Sequence, residues 1–150
     1  MTEPPAAMEE EFNAWYDSEH LAERLAIPGF RSARRWVADV APGAGEYLAT
    51  YELDSPAVLQ SAQYLARYQA ATPWTRRCLE KTVLFKRWAC EQIEPGAADP
   101  QPGELQTRRF VTVEDEPRHI ALAEFAHEPA RELLLAQAGT LVRLYRAYAA

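Results

Sequence analysis

The sequence predicts an α+β fold, an antiparallel sheet with helices on one face, and three observations carry that prediction. Stretches with apolar residues at helical spacing alternate with short runs rich in branched and aromatic residues that alternate in polarity. Proline and glycine punctuate the boundaries between them. The order strand, turn, strand, proline-capped helix also occurs twice. "RRWVADVAPGAGEYLATYELDSPAVL" (Arg34 to Leu59) is echoed by "RRFVTVEDEPRHIALAEFAHEPARELL" (Arg108 to Leu134), offset by about 73 residues. An internal duplication follows, each copy a strand-strand-helix-strand layer.

Taken in order, Thr2 is placed to cap a helix whose first turn tolerates Pro4 and Pro5, since the first helical amides have no intrahelical partner. Met8, Phe12, Trp15 and Tyr16 then recur at helical spacing, and Pro28-Gly29 ends the helix. "RSARRWVADV" (31–40) predicts a strand, "APGAG" a turn and "EYLATYEL" (46–53) a second strand, the pair forming an antiparallel hairpin. Tyr47, Tyr51 and Trp36 make this sheet richer in aromatics than a solvent-facing surface tolerates, so the side away from the helices needs cover from the second copy or from another subunit. "DSPAVLQSAQYLARYQ" predicts a helix with Asp54 or Ser55 as its cap, Pro56 at its first position and a stripe of Val58, Leu59, Ala62, Leu65 and Ala66. A short helix follows Thr72, and "VLFKRWACEQI" (83–93) has the composition of one strand. "TLVRLYRAYA" (140–149) is the corresponding closing strand of the second copy. The expected division is a first half at 1–94, a Pro/Gly linker at 95–104 and a second, truncated repeat at 105–150.

The chain has 150 residues, of which 48% are hydrophobic, enough for one compact domain or two small, mutually dependent halves. Sixteen Lys plus Arg against 22 Asp plus Glu leave a net charge of -6, which disfavours a nucleic acid partner. No run approaches the roughly 18–20 apolar residues of a membrane span, and the acidic start "MTEPPAAMEEE" lacks a signal-peptide pattern, so the expected location is cytoplasmic, away from membranes. Cys78 and Cys90 match neither a zinc knuckle nor a C-x-x-C pair and are expected to be reduced, structural thiols.

"EFNAWYDSEHLAERLAIPGF" (11–30), followed by an arginine-rich strand, "YLATYELDSP" and "TPWTRR", resembles a large bacterial group of dimeric α/β-barrel proteins with ferredoxin-like halves, the EthD-like group. The match runs from Glu11 to about Ile93 and, more faintly, through the second copy. The resemblance implies a ferredoxin-like antiparallel sheet, with two degenerate repeats forming or contributing to a dimeric α/β barrel, and hence a homodimer. It covers cofactor-free monooxygenases, lactone isomerases, polyketide and phenolic cyclases, haem-using enzymes and members with no known reaction. Related members begin with a short strand before this helix, which the sequence here is not expected to form, and the second half lacks both that strand and a histidine-bearing helix.

Phe12, Tyr16 and His20 are spaced i, i+4, i+8, with Trp15, Glu19 and Glu23 in the adjacent row. An imidazole titrates near neutrality and can take and return a proton where carboxylates and phenols cannot without strong perturbation. His20 is therefore the expected catalytic acid or base, with Glu19 or Glu23 to orient it and Tyr16, Tyr47 or Tyr51 to donate to a developing enolate or phenolate. Against this stands the reading of His20 as a partner for the helix dipole on a solvated rim, and the resemblance favours the inward histidine, because related members keep one at this helix end beside their cavity. Trp15, Trp36, Tyr47, Tyr51, Trp74 and Arg76 are the candidate substrate wall; Trp74 alternatively serves as a packing anchor, with Arg76 and Arg77 solvated. Arg34 and Arg35 point to opposite faces, so at most one is interior, and an interior arginine argues for an anionic ligand. His119 is expected at the surface and His127 in a capping or loop position. The histidine spacing gives no metal site, and neither a metal nor any other cofactor is expected. The expectation is a cofactor-independent enzyme (a cyclase, isomerase or lyase) moving protons on a small aromatic, polyketide-like or lactone substrate. Its rivals are a non-catalytic ligand-binding or assembly module of the same fold and a cofactor-free monooxygenase.

Overall fold

Burial of one aromatic helix face against one face of a sheet organises the first part of the chain. The computed structural model describes residues 1–38, 45–93, 104–113, 118–127 and 144–148. Thr2–Glu3 form strand β1, Glu9–Trp15 helix α1, and Tyr16–His20 a π-helical turn that runs into α2 (Leu21–Leu25). After the turn come β2 (Phe30–Ala38) and β3 (Tyr47–Leu53), a 3₁₀ turn at Pro56–Gln60, α3 (Ala62–Gln69), α4 (Pro73–Lys81) and β4 (Leu84–Phe85). β5 (Cys90–Ile93), β6 (Glu104–Thr112), β7 (His119–Phe125) and β8 (Tyr145–Ala147) complete the order.

The fold is α+β with antiparallel sheets. The first sheet has the order β4-β1-β3-β2-β8, and its first four strands, interleaved with helices after β1 and after β3, follow a ferredoxin-like path. Two expectations about the chain start are corrected. Thr2 caps no helix; it is buried in β1, paired with Tyr47 on one side and Phe85 on the other, so the first half does have a short opening strand. Pro4 and Pro5 stand between that strand and the helix, where their missing amides break no ladder.

Pro28-Gly29 closes the helix as expected. Gly29 has φ +95°, and a Cβ there would stand 2.5 Å from Val58 Cγ2, so both conformation and space require glycine. The helix expected from Asp54 is divided: Ser61 is extended at ψ 149° and accepts the Tyr64 amide at 3.2 Å, capping a new helix. The face it buries is that of Tyr64, while Leu65 of the expected stripe is 45% exposed.

The core joins α1 and the π turn to β3 and α4. Phe12 and Trp15 are 1% and 0% exposed, and the Phe12 ring lies 5.1 Å from Tyr16 and 5.7 Å from both Trp15 and Tyr47. Full burial of each such side chain contributes about 1.5–3 kcal/mol. Cys78 packs into the same cluster, and burial pushes its thiol up to about 11, which makes it a packing residue rather than a nucleophile. The pairing of Val37 with Tyr47, Arg35 with Ala49 and Ala33 with Tyr51 puts both tyrosines on the helix face. The expected aromatic surface on the opposite side is thereby reduced to Trp36, whose Nε1 donates to Thr50 Oγ1 at 3.2 Å.

The chain divides into two compact units, Met1–Arg87 with Leu144–Ala150 and Trp88–Arg143. The stretch expected as one strand at 83–93 supplies β4 to the first sheet and β5 to a second, three-stranded sheet of order β5-β6-β7. β8, expected to close the second copy, instead pairs with β2, Trp36 opposite Ala147 and Ala38 opposite Tyr145. The two hairpins share strand lengths and the place of their irregularity. Strands of 9 and 7 residues form β2-β3 and again β6-β7, each with a register shift two residues from its start, at Phe30/Ser32 and Glu104/Gln106. The turn at 41–44, the linker and the helix expected after Pro129 lie outside the described residues.

Candidate functional site

The π turn sets the site. Leu21 N–H bonds Tyr16 O, one residue beyond α-helical reach, and the wider turn brings His20 over Trp15 at i+5 as well as over Tyr16 at i+4. The imidazole lies 4.3 Å from the Trp15 ring and 4.8 Å from the Tyr16 ring, and the residue is 7% exposed. His20 is thus inside, between the helix and the sheet. Burial first, then the Arg24 and Arg35 guanidiniums, lower its pKa to about 3, so the imidazole is neutral throughout the physiological range. Its Nδ1 has no hydrogen-bond partner among the described residues.

Glu19 does not orient His20, contrary to expectation. Its Oε1 accepts from Trp15 Nε1 at 3.2 Å, Thr72 Oγ1 at 2.6 Å and Thr75 Oγ1 at 3.0 Å, which fastens the π turn to the start of α4. Trp15 Nε1 also donates to Thr75 Oγ1 at 3.0 Å, so this tryptophan is a packing anchor rather than a wall. Glu23 pairs with Arg67 at 3.2 Å and Asp17 with Arg35 at 2.7 Å. Asp17, Glu19 and Glu23 are therefore held by partners other than the imidazole.

Tyr16, His20 and Tyr51 do come together. Burial raises the pKa of Tyr16 and, further, that of Tyr51, and each phenol influences the other; both stay protonated and act as donors. The approach of the two hydroxyls lacks ordinary hydrogen-bond geometry, and Tyr51 Oη has no partner among the described residues. Arg24, one further turn along the helix, acts electrostatically on His20, Tyr16 and Tyr51, and its carbon Cζ lies 5.4 Å over the Tyr64 ring. Its Nη1 is buried and likewise unpartnered among the described residues. Arg24 was legible as the next member of the Tyr16/His20 row, but spacing alone does not separate it from a solvated arginine.

Other expected wall residues fall elsewhere. Tyr47 donates to Glu9 Oε1 at 2.6 Å and accepts from Asn13 at 3.0 Å. Trp74 packs on the core, its buried Nε1 unpartnered among the described residues, while Arg76 is exposed on α4. Trp36 lies across the sheet from His20. His119 is exposed on β7 opposite Val111, and His127 is exposed in a bend.

Of the paired arginines, Arg34 is exposed and Arg35 interior, its side chain 3% exposed. Arg35 donates to Asp17 and, at 2.5 Å, to Asn13 Oδ1, and its guanidinium lies 4.0 Å over Tyr148, 4.5 Å over Tyr16 and 5.3 Å over Tyr47. It forms the wall of an open groove of about 420 Å³ between Asp17 and Leu21 on one side and β2 and Tyr148 on the other. Among the described residues no three His, Cys, Asp or Glu side chains cluster as metal ligands, and no helix is long and apolar enough to cross a membrane. Comparison with protein-family models, curated proteins and solved structures gives no match to this chain.

Proposed function

We propose that this chain is a cofactor-independent enzyme that transfers a proton on a small aromatic, polyketide-like or lactone compound, with His20 as the acid or base. The observation that carries the reading is the placement of His20. A buried imidazole whose Nδ1 has no partner among the described residues, held by a π turn against the Tyr16 ring, with the Tyr51 phenol acting on Tyr16, is the donor and acceptor set that enolisation needs. Tyr16 and Tyr51 donate to the oxygen on which charge develops, while Arg24 and Arg35 lower the energy of that anion. The two guanidiniums that weaken the imidazole as a base in the free protein favour the enolate it would create. In this reading two copies close a dimeric α/β barrel. Exposure of Val83 and Phe85 at the β4 edge of the first sheet, 71% and 57%, supports such self-association.

The test is exchange of carbon-bound hydrogen for deuterium in a panel of β-diketones, butenolides and polyphenolic ketones, followed by NMR. Exchange is expected, and His20→Gln should reduce it by about 10²–10⁴-fold while leaving the circular dichroism spectrum unchanged. Exchange that is absent, or indifferent to His20→Gln, overturns the reading. The close packing of His20 on Trp15 favours the second reading, a non-catalytic module of the same fold in which the imidazole is a core residue. Dioxygen consumption with an electron-rich phenol, in place of exchange, would mark a cofactor-free monooxygenase.

A further inference from the structure

Three buried polar atoms on two elements of the first unit are left without hydrogen bonds among the described residues: His20 Nδ1, Arg24 Nη1 and Tyr51 Oη. They belong to one neighbourhood. His20 meets the Tyr16 ring edge-on at 4.8 Å, the Tyr16 and Tyr51 phenols influence each other's ionisation, and Arg24 acts on all three. Phe30 closes it, 5.8 Å from Tyr51 and 6.2 Å from Tyr64, the ring under Arg24. The chemistry of the set is one-sided. A guanidinium and a phenol are donors here, a neutral imidazole supplies one donor and one acceptor, and among the described residues the carboxylates of Asp17, Glu19 and Glu23 are committed elsewhere. A buried polar atom without a partner is costly, and a guanidinium more so, so three together point to a group that the ligand brings.

We infer that this site takes an aromatic or unsaturated carboxylate, whose anionic group is held by Arg24 Nη1 and Tyr51 Oη with its ring carried on Phe30 and Tyr64. The carboxylate supplies the acceptors the cluster lacks, and Arg24 is the residue that selects a charged substrate over a neutral one. Burial is the main reason His20 stays neutral, and the ligand's negative charge opposes the smaller contribution of the Arg24 and Arg35 guanidiniums, so the contact that binds the ligand favours protonation of the imidazole. The inference rests on the proton-transfer reading of this site and names the substrate class for it.

The experiment is an NMR titration of the full chain with benzoate and cinnamate, and with benzamide and cinnamide as neutral counterparts. The carboxylates are expected to shift the His20 and Tyr51 resonances at millimolar concentration and to bind about ten- to hundredfold more tightly than the amides. Arg24→Met should abolish that preference, Arg24→Lys should restore part of it, and Tyr51→Phe should weaken the carboxylates more than the amides. Equal binding of acid and amide, a preference that survives Arg24→Met, or carboxylates that move neither resonance each overturn the inference. If Arg24→Met does not fold, the Lys variant and the wild-type resonances still decide. Proton exchange that needs His20 but not Arg24 leaves the catalytic reading standing and removes this one. Arg24-dependent carboxylate binding in a protein that exchanges no proton does the reverse.

Discussion

At the scale of single residues, His20 is a titratable group that the fold withdraws from water. In the unfolded chain it titrates near 6.5, whereas in the fold it stays neutral down to about 3. Between those values the unfolded state binds a proton that the native state does not, so stability rises with pH across this window and is lost on acidification, by about 1.4 kcal/mol per pH unit for one group. Denaturant midpoints measured at pH 7 and pH 4.5 should therefore fall less steeply for His20→Gln than for the wild type. Identical slopes would mean that the imidazole is hydrated in the native state. Arg35 presents the opposite case of a buried charge that is fully answered, by Asp17, Asn13 and three tyrosine rings. Asp17→Asn leaves that guanidinium without its counter-charge, and because Asp17 is 29% exposed the expected loss is about 1–3 kcal/mol rather than the larger cost of a fully buried pair.

Among the elements, the π turn and the start of α4 act as one piece. Thr72 accepts the Thr75 amide at 3.0 Å as N-cap of α4 and donates to Glu19 from the same hydroxyl, so a helix cap and the anchoring of the histidine-bearing turn share an atom. Thr72→Ala removes both and should cost about 1–2 kcal/mol in urea melts. If the turn positions His20, the same substitution should change the His20 chemical shifts, whereas a cap acting on α4 alone would leave them where they are. The π turn itself has no signature in "YDSEH", whose residues would continue an ordinary α-helix. It places His20 against both the Trp15 and the Tyr16 rings.

For the whole molecule, the assignment of β8 to the first sheet and the division of 83–93 between two sheets are the main departures from the expected pair of repeats. β8 extends the first sheet along β2, and Tyr148 just beyond it donates its amide to Arg35 O at 3.0 Å and lays its ring over the Arg35 guanidinium. Ending the chain at Arg143 should therefore lower the stability of the first unit and speed amide exchange at the β2 residues opposite Tyr145–Ala147. Unchanged protection there would show that β2 needs no neighbour on that side.

The sequence by itself determined the elements and their local chemistry. The Pro28-Gly29 stop, the β2-β3 hairpin and its echo in β6-β7, the short helix after Thr72 and the inward turn of a single arginine from the Arg34-Arg35 pair all rest on period, turn residues and steric rules that act over a few positions. So did the aromatic row that brings Tyr16 and His20 to one helix face. The tertiary structure decided which sheet each strand joins, sending β8 to β2 and dividing 83–93 between two sheets, because pairing partners are chosen by contacts distant in sequence. It also turned Glu19 toward Thr72 and Thr75 and brought Arg24 close enough to act on His20, Tyr16 and Tyr51. A carboxylate goes to whichever donors the packed fold brings within about 3 Å, and no spacing along the chain encodes that distance.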